Sequence, residues 1–390
     1  MSDYTPPLIM LTAGGTAGHM FPANSLASEL SERGYRVVFV TDQRGKNYQP
    51  DASGVDIRCI AAGGVAGKSL LAKLRSFGEL AVGFVQSLWI LQRNKPDAVI
   101  GFGGYASVPV MMAAKLGGFP AALHEQNAVL GRANRLFASN VKSIGTCFDK
   151  IEGLAPEDMA KVIRTGLPVR QAVAEVENKA YPEINQDTQW NLMITGGSQG
   201  ARVFSDVVPE AIGLLDESLR KNIRITQQCR PEDIERVRKA YEEFDVMADL
   251  NQFFPDLPEK IAAAHLVIGR AGASTVAEVT VIGRPTILVP YPYAIDDHQS
   301  HNAHALDEVG AGWLMPESSF TPAALAERLS SLISMPTLLQ KAASSAKLAG
   351  TPDASKKLAD MAENILVSKI RTNGNGNGND TNPGQGRQVA

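Results

Sequence analysis

Leu8-Ile-Met-Leu-Thr-Ala13 runs straight into Gly14-Gly15-Thr16-Ala17-Gly18-His19, and the same figure returns at Trp190-Asn-Leu-Met-Ile-Thr195 followed by Gly196-Gly197-Ser198-Gln199-Gly200. Each is a short apolar run of β type, a double glycine, a hydroxyl residue and a third glycine, leading into a helical pattern. Glycine accepts φ > 0 and lets the backbone approach a ligand closely. A helix that starts at such a corner presents unpaired N–H groups and the positive end of its dipole. Two corners predict two similar α/β halves facing each other across a cleft, with phosphate as a natural guest.

The rest of the chain keeps the same rhythm. Leu8–Ala13, Arg36–Val40, Ala98–Phe102, Ala121–His124 and Val141–Thr146 read as strands in the first half. Leu192–Thr195, Ile223–Gln227, Leu266–Ile268 and Thr286–Val289 read as strands in the second. Helical stretches such as Asn24–Arg33 and Pro231–Glu243 separate them. Alternating βαβα predicts parallel sheets with helices on both faces, and their ligands sit at the carboxyl ends of the strands. Thr165-Gly-Leu-Pro-Val-Arg170 reads as a hinge, dividing a domain at residues 1–168 from one at 169–351. A helix over about 352–370 packs back on the first half. The Asn/Gly-rich tail, 372–390, has no apolar residues to bury and reads as disordered.

The chain has 390 residues, 44% apolar and 20% charged, with a formal net charge of -3. That suits two domains with real cores and argues against nucleic acid as a partner. Cys59, Cys147 and Cys229 are odd in number and far apart, with no metal spacing, and read as reduced thiols. The N-terminus has no basic n-region, and no stretch approaches the roughly 20 apolar residues of a spanning helix, so a soluble or peripheral protein is expected. Residues 68–95 stand apart. Leu70, Leu74, Phe77, Ala81, Phe84, Leu88 and Leu91 form one helical stripe, and Leu71, Val82, Val85 and Trp89 add a second apolar face. Lys68, Lys73, Arg75, Arg93 and Lys95 flank them. Two readings stand: a buried helix pair, or a basic-rimmed apolar patch resting on an anionic membrane.

Several polar residues fall at strand ends. His19 closes the first corner, near a helix N-terminus that disfavours its charged form, as a general base requires. Gly101-Phe-Gly-Gly-Tyr-Ala-Ser107 follows one strand, and His124-Glu125-Gln126-Asn127 follows another. Glu125 suits a hydroxyl or the orientation of His19, and Asn127 a sugar or amide. Gly269-Arg-Ala-Gly-Ala-Ser-Thr-Val-Ala-Glu278 repeats the corner-to-helix figure, with Glu278 within reach of a ribose diol. Tyr291–His304 is the most polar loop of the second half. His298 and His301 share a helical face there but His304 turns away, so sugar hydroxyls suit the loop better than a metal.

Taken in order, Gly14-Gly-Thr-Ala-Gly-His19 with Pro22, Gly103-Gly-Tyr105, His124-Glu-Gln-Asn127, Pro168-Val-Arg170, Gly196-Gly-Ser-Gln-Gly-Ala-Arg202 and Gly272-Ala-x-Thr-Val-x-Glu278 resemble the peptidoglycan glycosyltransferases that make lipid II. The resemblance runs from about Leu8 to Ile370. It implies a GT-B fold, two Rossmann-like doubly wound parallel-sheet domains facing across a cleft. It implies UDP-N-acetylglucosamine as donor, lipid I as acceptor, inversion at the anomeric carbon, and no cofactor or metal. It implies donor contacts from Thr16, Ala17, Gly18, Asn127, Arg170, Ser198, the backbone at Phe254, the helix start Ala273, Ser274, Thr275, Val276, Ala277 and Glu278, and Gln299. His19 is the family's candidate base, with Glu125 the second. A place on the cytoplasmic face of the bacterial inner membrane follows, with cell-wall or division machinery as further partners. The family's usual glycine at position 17 is alanine here, which requires a φ that alanine tolerates.

Two rivals share these features: a UDP-N-acetylglucosamine 2-epimerase on the same fold, and a non-catalytic nucleotide-sugar-binding protein. A NAD-dependent dehydrogenase is disfavoured, because neither corner reads Gly-x-Gly-x-x-Gly with an acidic residue about 20 positions on.

Overall fold

The structure, a computed structural model, describes residues 5–15, 17–47, 54–63, 70–185, 188–197 and 200–374; the side chains of 17, 70–75 and 367–374 also lie outside that description. Two separate parallel sheets form. The first holds β1 (Leu8–Thr12), β2 (Arg36–Thr41), β3 (Asp56–Cys59), β4 (Ala98–Gly101), β5 (Ala121–Glu125), β6 (Ser143–Thr146) and β7 (Val162–Arg164), in the order β3-β2-β1-β4-β5-β6-β7. The second holds β8 (Trp190–Thr195), β9 (Ile223–Gln228), β10 (Met247–Asn251), β11 (Leu266–Gly269), β12 (Thr286–Leu288) and β13 (Gly312–Leu314), in the order β10-β9-β8-β11-β12-β13. Every pairing is parallel.

In each sheet the order reverses beside its first strand, between β1 and β4 and between β8 and β11. Ligands of doubly wound sheets bind at such switch points, outside the carboxyl ends of the strands. The two glycine corners stand there. The four strands absent from the sequence reading, β3, β7, β10 and β13, are the four sheet edges.

The helices that matter for the site are α1 (Ala17–Glu32), α2 (Leu70–Asn94), α3 (Ser107–Leu116), α4 (Arg202–Gly213), α5 (Ala273–Ile282), α6 (His298–Glu308) and α7 (Ala354–Gly374). Ile9 and Leu11 of β1 point to one face, where Met20, Leu26 and Leu30 of α1 meet Leu358, Ala362 and Ile365 of α7. Met10 points to the other, towards Val110 and Leu91. Alternating side chains are therefore apolar on both faces, which is why the central strands read as unbroken apolar runs. The last helix returns to the first sheet, and Arg33 fastens it through Asp360 (2.6 Å) and the Lys356 carbonyl (3.2 Å). It extends to Gly374, past residue 372 where a disordered tail was expected to begin; residues 375–390 lie outside the described set.

Residues 70–94 form one helix, not a pair. Leu91 and Ile90 are buried, and Phe84 and Leu88 pack partly against the core. Phe77, Val82, Val85 and Trp89 face outward, 61%, 53%, 64% and 61% exposed. Phe77 and Ala81, expected on the core stripe, are exposed. Arg93 lies over the Trp89 ring at 5.5 Å. Lys68 is outside the described residues. Among the described residues, no helix is long and apolar enough to cross a membrane.

Candidate active site

At the first switch point two glycine loops interlock. The Gly14 N–H donates to the Gly103 carbonyl at 2.9 Å. Gly103 and Gly104 have φ of 81° and 80°, and a Cβ on Gly104 would stand 2.8 Å from the Gly14 Cα. Only glycine fits there. His19, on the first turn of α1, packs on this platform: a Cβ on Gly103 would lie 3.4 Å from its Cδ2 and Nε2. Burial holds its pKa down to about 4, and the proximity of Arg44 and of His298, from the second lobe, pushes the same way. The imidazole is thus neutral near pH 7. Ala17 opens α1 with helical backbone, so alanine is accommodated without strain, and Gly18 is exposed beside it. Thr16 lies outside the described residues.

Glu125 ends β5, buried, and its carboxylate is spoken for. One oxygen accepts from the Asn127 N–H (3.1 Å) and more loosely from its side-chain amide (3.4 Å). The other accepts from the Gly131 N–H (2.9 Å) and Asn134 Nδ2 (2.9 Å). Burial raises its pKa, opposed by these four donors. The four bonds tie Glu125 to Asn127, Gly131 and Asn134. His124 beside it is fully buried, its Nε2 3.0 Å from the Gly166 carbonyl. Burial keeps it neutral, with a pKa of about 4.

In the second lobe, a Cβ on Gly196 would fall 2.2 Å from the Ala201 N, so the corner before α4 closes only with glycine. Ser198 lies outside the described residues. Helix α5 starts after Gly272 with no side-chain cap and no acidic residue in its first turn. The Val276 N–H already donates to the Gly272 carbonyl (3.0 Å), so Ala273, Ser274 and Thr275 carry the N–H groups that an anion can take. Val276 is core, and with Ala277 it lines an interlobe cavity of about 790 Å³. Glu278 follows one turn on. Burial raises its pKa, and Arg170 opposes that with a two-pronged fork, Nε to Oε1 at 3.0 Å and an Nη to Oε2 at 3.1 Å. A carboxylate held this way retains lone pairs for a diol. The Phe254 side chain is buried under Lys260 (4.9 Å), leaving only its backbone to meet a ligand. Gln299 Oε1 accepts from the Tyr291 N–H at 2.9 Å, at the start of α6.

Residues 9–146 match the glycosyltransferase family 28 N-terminal domain and residues 191–359 its C-terminal domain. The chain belongs to glycosyltransferase family 28. A protein of Paramagnetospirillum magneticum is 52% identical over 93% of this chain and 98% of its own length. One of Rhodospirillum rubrum is 51% identical over 91% of each. Both bear the name UDP-N-acetylglucosamine–N-acetylmuramyl-(pentapeptide) pyrophosphoryl-undecaprenol N-acetylglucosamine transferase. The crystal structure of Acinetobacter baumannii MurG superposes with a TM-score of 0.76 at 28% identity, covering 92% of this chain and all of that one. A UDP-GlcNAc 2-epimerase from Neisseria meningitidis shares the fold at 14% identity and a TM-score of 0.61. The two-domain GT-B architecture is thus that of family 28.

The structure joins these residues in pairs: Glu125 with Asn127, and Arg170 with Glu278 on α5, while His19 of the first lobe lies within electrostatic reach of His298 of the second. Among the described residues no group of three or more His, Cys, Asp or Glu side chains is placed to hold a metal. The histidines of α6 are occupied separately: His298 Nδ1 lies 2.8 Å from the Ile295 carbonyl, His301 meets Glu152 at 2.7 Å, and His304 meets Glu308 at 3.5 Å. One residue escaped the sequence reading. Asn302 is fully buried on the apolar side of α6, beside Ala303 and Leu306. A polar side chain at a core position of a helix was the available signal, since such a group needs partners.

Proposed function

We propose that this family 28 chain transfers N-acetylglucosamine from UDP-N-acetylglucosamine to the 4-hydroxyl of the MurNAc residue in lipid I, giving lipid II. The observation that carries this is the neutral His19, held on the interlocked glycine loops of the first lobe within electrostatic reach of His298 of the second. The names of the relatives support the donor and the acceptor.

In this reading Glu278 accepts from the ribose hydroxyls, with Arg170 fixing its orientation. The N–H groups of Ala273, Ser274 and Thr275, with Ser198, hold the diphosphate. The backbone at Phe254 meets the uracil, and Asn127 and Gln299 meet the sugar. Thr16, Ala17 and Gly18, at the first corner, contribute to holding the donor. The acceptor oxygen attacks the anomeric carbon as the bond to the diphosphate oxygen breaks, and UDP leaves with that electron pair. His19 takes the hydroxyl proton. Attack opposite an α-linked leaving group gives the β product. The charge gathering on UDP is met by preorganised N–H groups, without any group that must move. Glu125 acts by shaping the Asn127 loop. The chain divides at 168/169, with α7 returning to the first domain.

The outward face of α2, Phe77, Val82, Val85 and Trp89 with Arg93, supports a peripheral seat on the anionic cytoplasmic leaflet, where lipid I is offered. Cell-wall or division machinery would act at the same surface.

The test supplies labelled UDP-N-acetylglucosamine with lipid I or a short-chain analogue. Label in the lipid is expected. Free N-acetylmannosamine would point to the epimerase, and tight UDP binding without turnover to a binding protein.

A further inference from the structure

Helix α6 belongs to the second lobe, yet it is bonded to the first along its whole length. Asp296, just ahead of it, forks with Arg132 at 2.7–3.1 Å. His301 meets Glu152 at 2.7 Å, and Glu308 accepts from Lys150 at 3.0 Å. These pairs are solvent-exposed on at least one side and individually weak. In their midst Asn302 is 0% exposed. Its Oδ1 accepts from the Ala128 N–H (2.8 Å) of the first lobe, and its Nδ2 donates to the Asn127 Oδ1 (3.1 Å) of that lobe and to the Ala271 carbonyl (3.0 Å) of the second.

Ala271 lies two residues before α5, so one amide joins three parts: the Asn127 loop, the approach to the α5 N-terminus, and the helix that begins with His298 and Gln299. The join also fixes which way Asn127 faces. The Glu125 carboxylate can only accept, so it draws the Asn127 NH₂; Asn302 Nδ2 can only donate, so it draws the Asn127 oxygen. Without Asn302, the Asn127 side chain keeps a single contact, at 3.4 Å. The entry to α6 is itself held under tension. Asp296 and Asp297 have φ of 53° and 51°, a region that non-glycine residues occupy at a cost. The Arg132 fork holds one, and Ser300 Oγ, donating to Asp297 at 2.7 Å, holds the other.

We propose that Asn302 is the pin of an interlobe latch: a positioning residue that locks the Asn127 amide into its sugar-facing orientation when the lobes close. The proposal rests on the reading of Asn127 as a donor-sugar contact. The peripheral ion pairs guide closure, and Asn302 completes it by making its bonds only when water has left the join.

The test compares the parent chain with Asn302→Ala, Asn302→Asp, Asn127→Ala and the double Asn127→Ala/Asn302→Ala variant. Transfer kinetics, UDP binding by calorimetry and a spin-label distance between the lobes are read for each. Asn302→Ala should lower kcat/KM for UDP-N-acetylglucosamine by about 10- to 100-fold, while the Kd for UDP, gripped by the second lobe alone, stays within about twofold. Asn302→Asp keeps the acceptor for Ala128 but sets oxygen against the Asn127 and Ala271 oxygens, so it should be no better than alanine. The double variant should lose little beyond Asn127→Ala, the mark of residues acting as a unit. The donor-bound interlobe distance should broaden in the Asn302 variants. A kcat/KM within about threefold of the parent, additive losses, or UDP affinity falling in step with transfer would overturn the latch. If Asn302→Ala does not fold, the near-isosteric Asn302→Asp decides alone. If the parent transfers no sugar, the functional reading has failed instead, and the spin-label distance with UDP-N-acetylglucosamine bound still tests the latch.

Discussion

Val85→Glu is the most informative perturbation of the outward face of α2. Val85 is 64% exposed in a cluster with Phe77, Val82 and Trp89. Full burial of such a side chain is worth about 1.5 kcal/mol, so Val85 has about 1 kcal/mol left to gain on entering a membrane interface. Glutamate forfeits that gain and adds repulsion from an anionic leaflet, about 1 kcal/mol per charge near the surface. With some dehydration of the carboxylate, the loss is about 2–3 kcal/mol, or about 10²-fold in vesicle affinity. Folding should be nearly unaffected, because a substitution at so exposed a position shifts stability by about 0.5 kcal/mol at most. Co-sedimentation with vesicles containing phosphatidylglycerol, beside a thermal melt, reads both quantities. Trp89→Glu should do at least as much, since it also removes the ring beneath Arg93. Vesicle affinity within about threefold of the parent at unchanged melting temperature would refute the membrane seat, as would binding that Val85→Glu lowers only by unfolding the chain.

Other predictions concern the cleft. His19→Ala should lower turnover by about 10²-fold or more with donor affinity largely kept, as single-turnover and binding measurements would show. Because burial sets the His19 pKa at about 4 rather than 6.5, kcat/KM should stay level from pH 8 to about pH 5; a break near 6.5 would show that His19 is not the base, or not so enclosed. His19 and His124 are both neutral in the fold at about 4, so unfolding takes up protons between pH 6.5 and 4. Stability is therefore full above 6.5, falls by up to about 3 kcal/mol per histidine as the pH drops from 6.5 to 4 and levels off below, measurable by urea unfolding at pH 7 and pH 4.5. Glu278→Gln should raise KM for UDP-N-acetylglucosamine and the Kd for UDP together, by about tenfold, because it breaks both the diol contact and the Arg170 fork. Glu125→Gln sets an NH₂ against N–H donors and should cost about 1–3 kcal/mol of stability along with transfer, seen in melts and kinetics.

The sheet centres were legible because β1, β4, β8 and β11 are apolar on both faces and read as continuous runs. The edges were not. Asp56-Ile-Arg-Cys59, Val162-Ile-Arg164 and Met247-Ala-Asp-Leu-Asn251 are short, partly exposed and carry charged residues, while Gly312-Trp-Leu314 is only three residues long and too short to show a period. That suits an edge, where charge guards against further pairing, and it erases the periodicity that marks a strand. The stripe along α2 misled for the opposite reason. Phe77 and Ala81 fit the helical spacing of the core, but spacing does not say which apolar face meets the sheet. Within the site, the glycine corners and strand-end polar residues were legible because their chemistry is local. Asn302 was not, because its meaning lies in Asn127 and Ala128, some 175 positions away.

The corner that opens the chain and the Gly272 corner before α5 share one physics and have two uses. Both corners aim a helix N-terminus over a switch point, and both therefore offer positive potential. At α5 nothing caps the helix and the first turn carries no acid, so that potential is free for the growing charge of a leaving diphosphate. At α1 a histidine stands in the first turn, enclosed by Gly103 and Gly104, and the same potential opposes its protonation. A base must be empty of its proton before the reaction, and a leaving group must be stabilised as its charge appears. One backbone device meets both needs, according to whether the group beside it is the enzyme's own imidazole or the substrate's phosphate. Exchanging the two, by placing histidine at Thr275 and alanine at His19, should therefore weaken UDP binding at the first change and transfer at the second, and restore neither in combination.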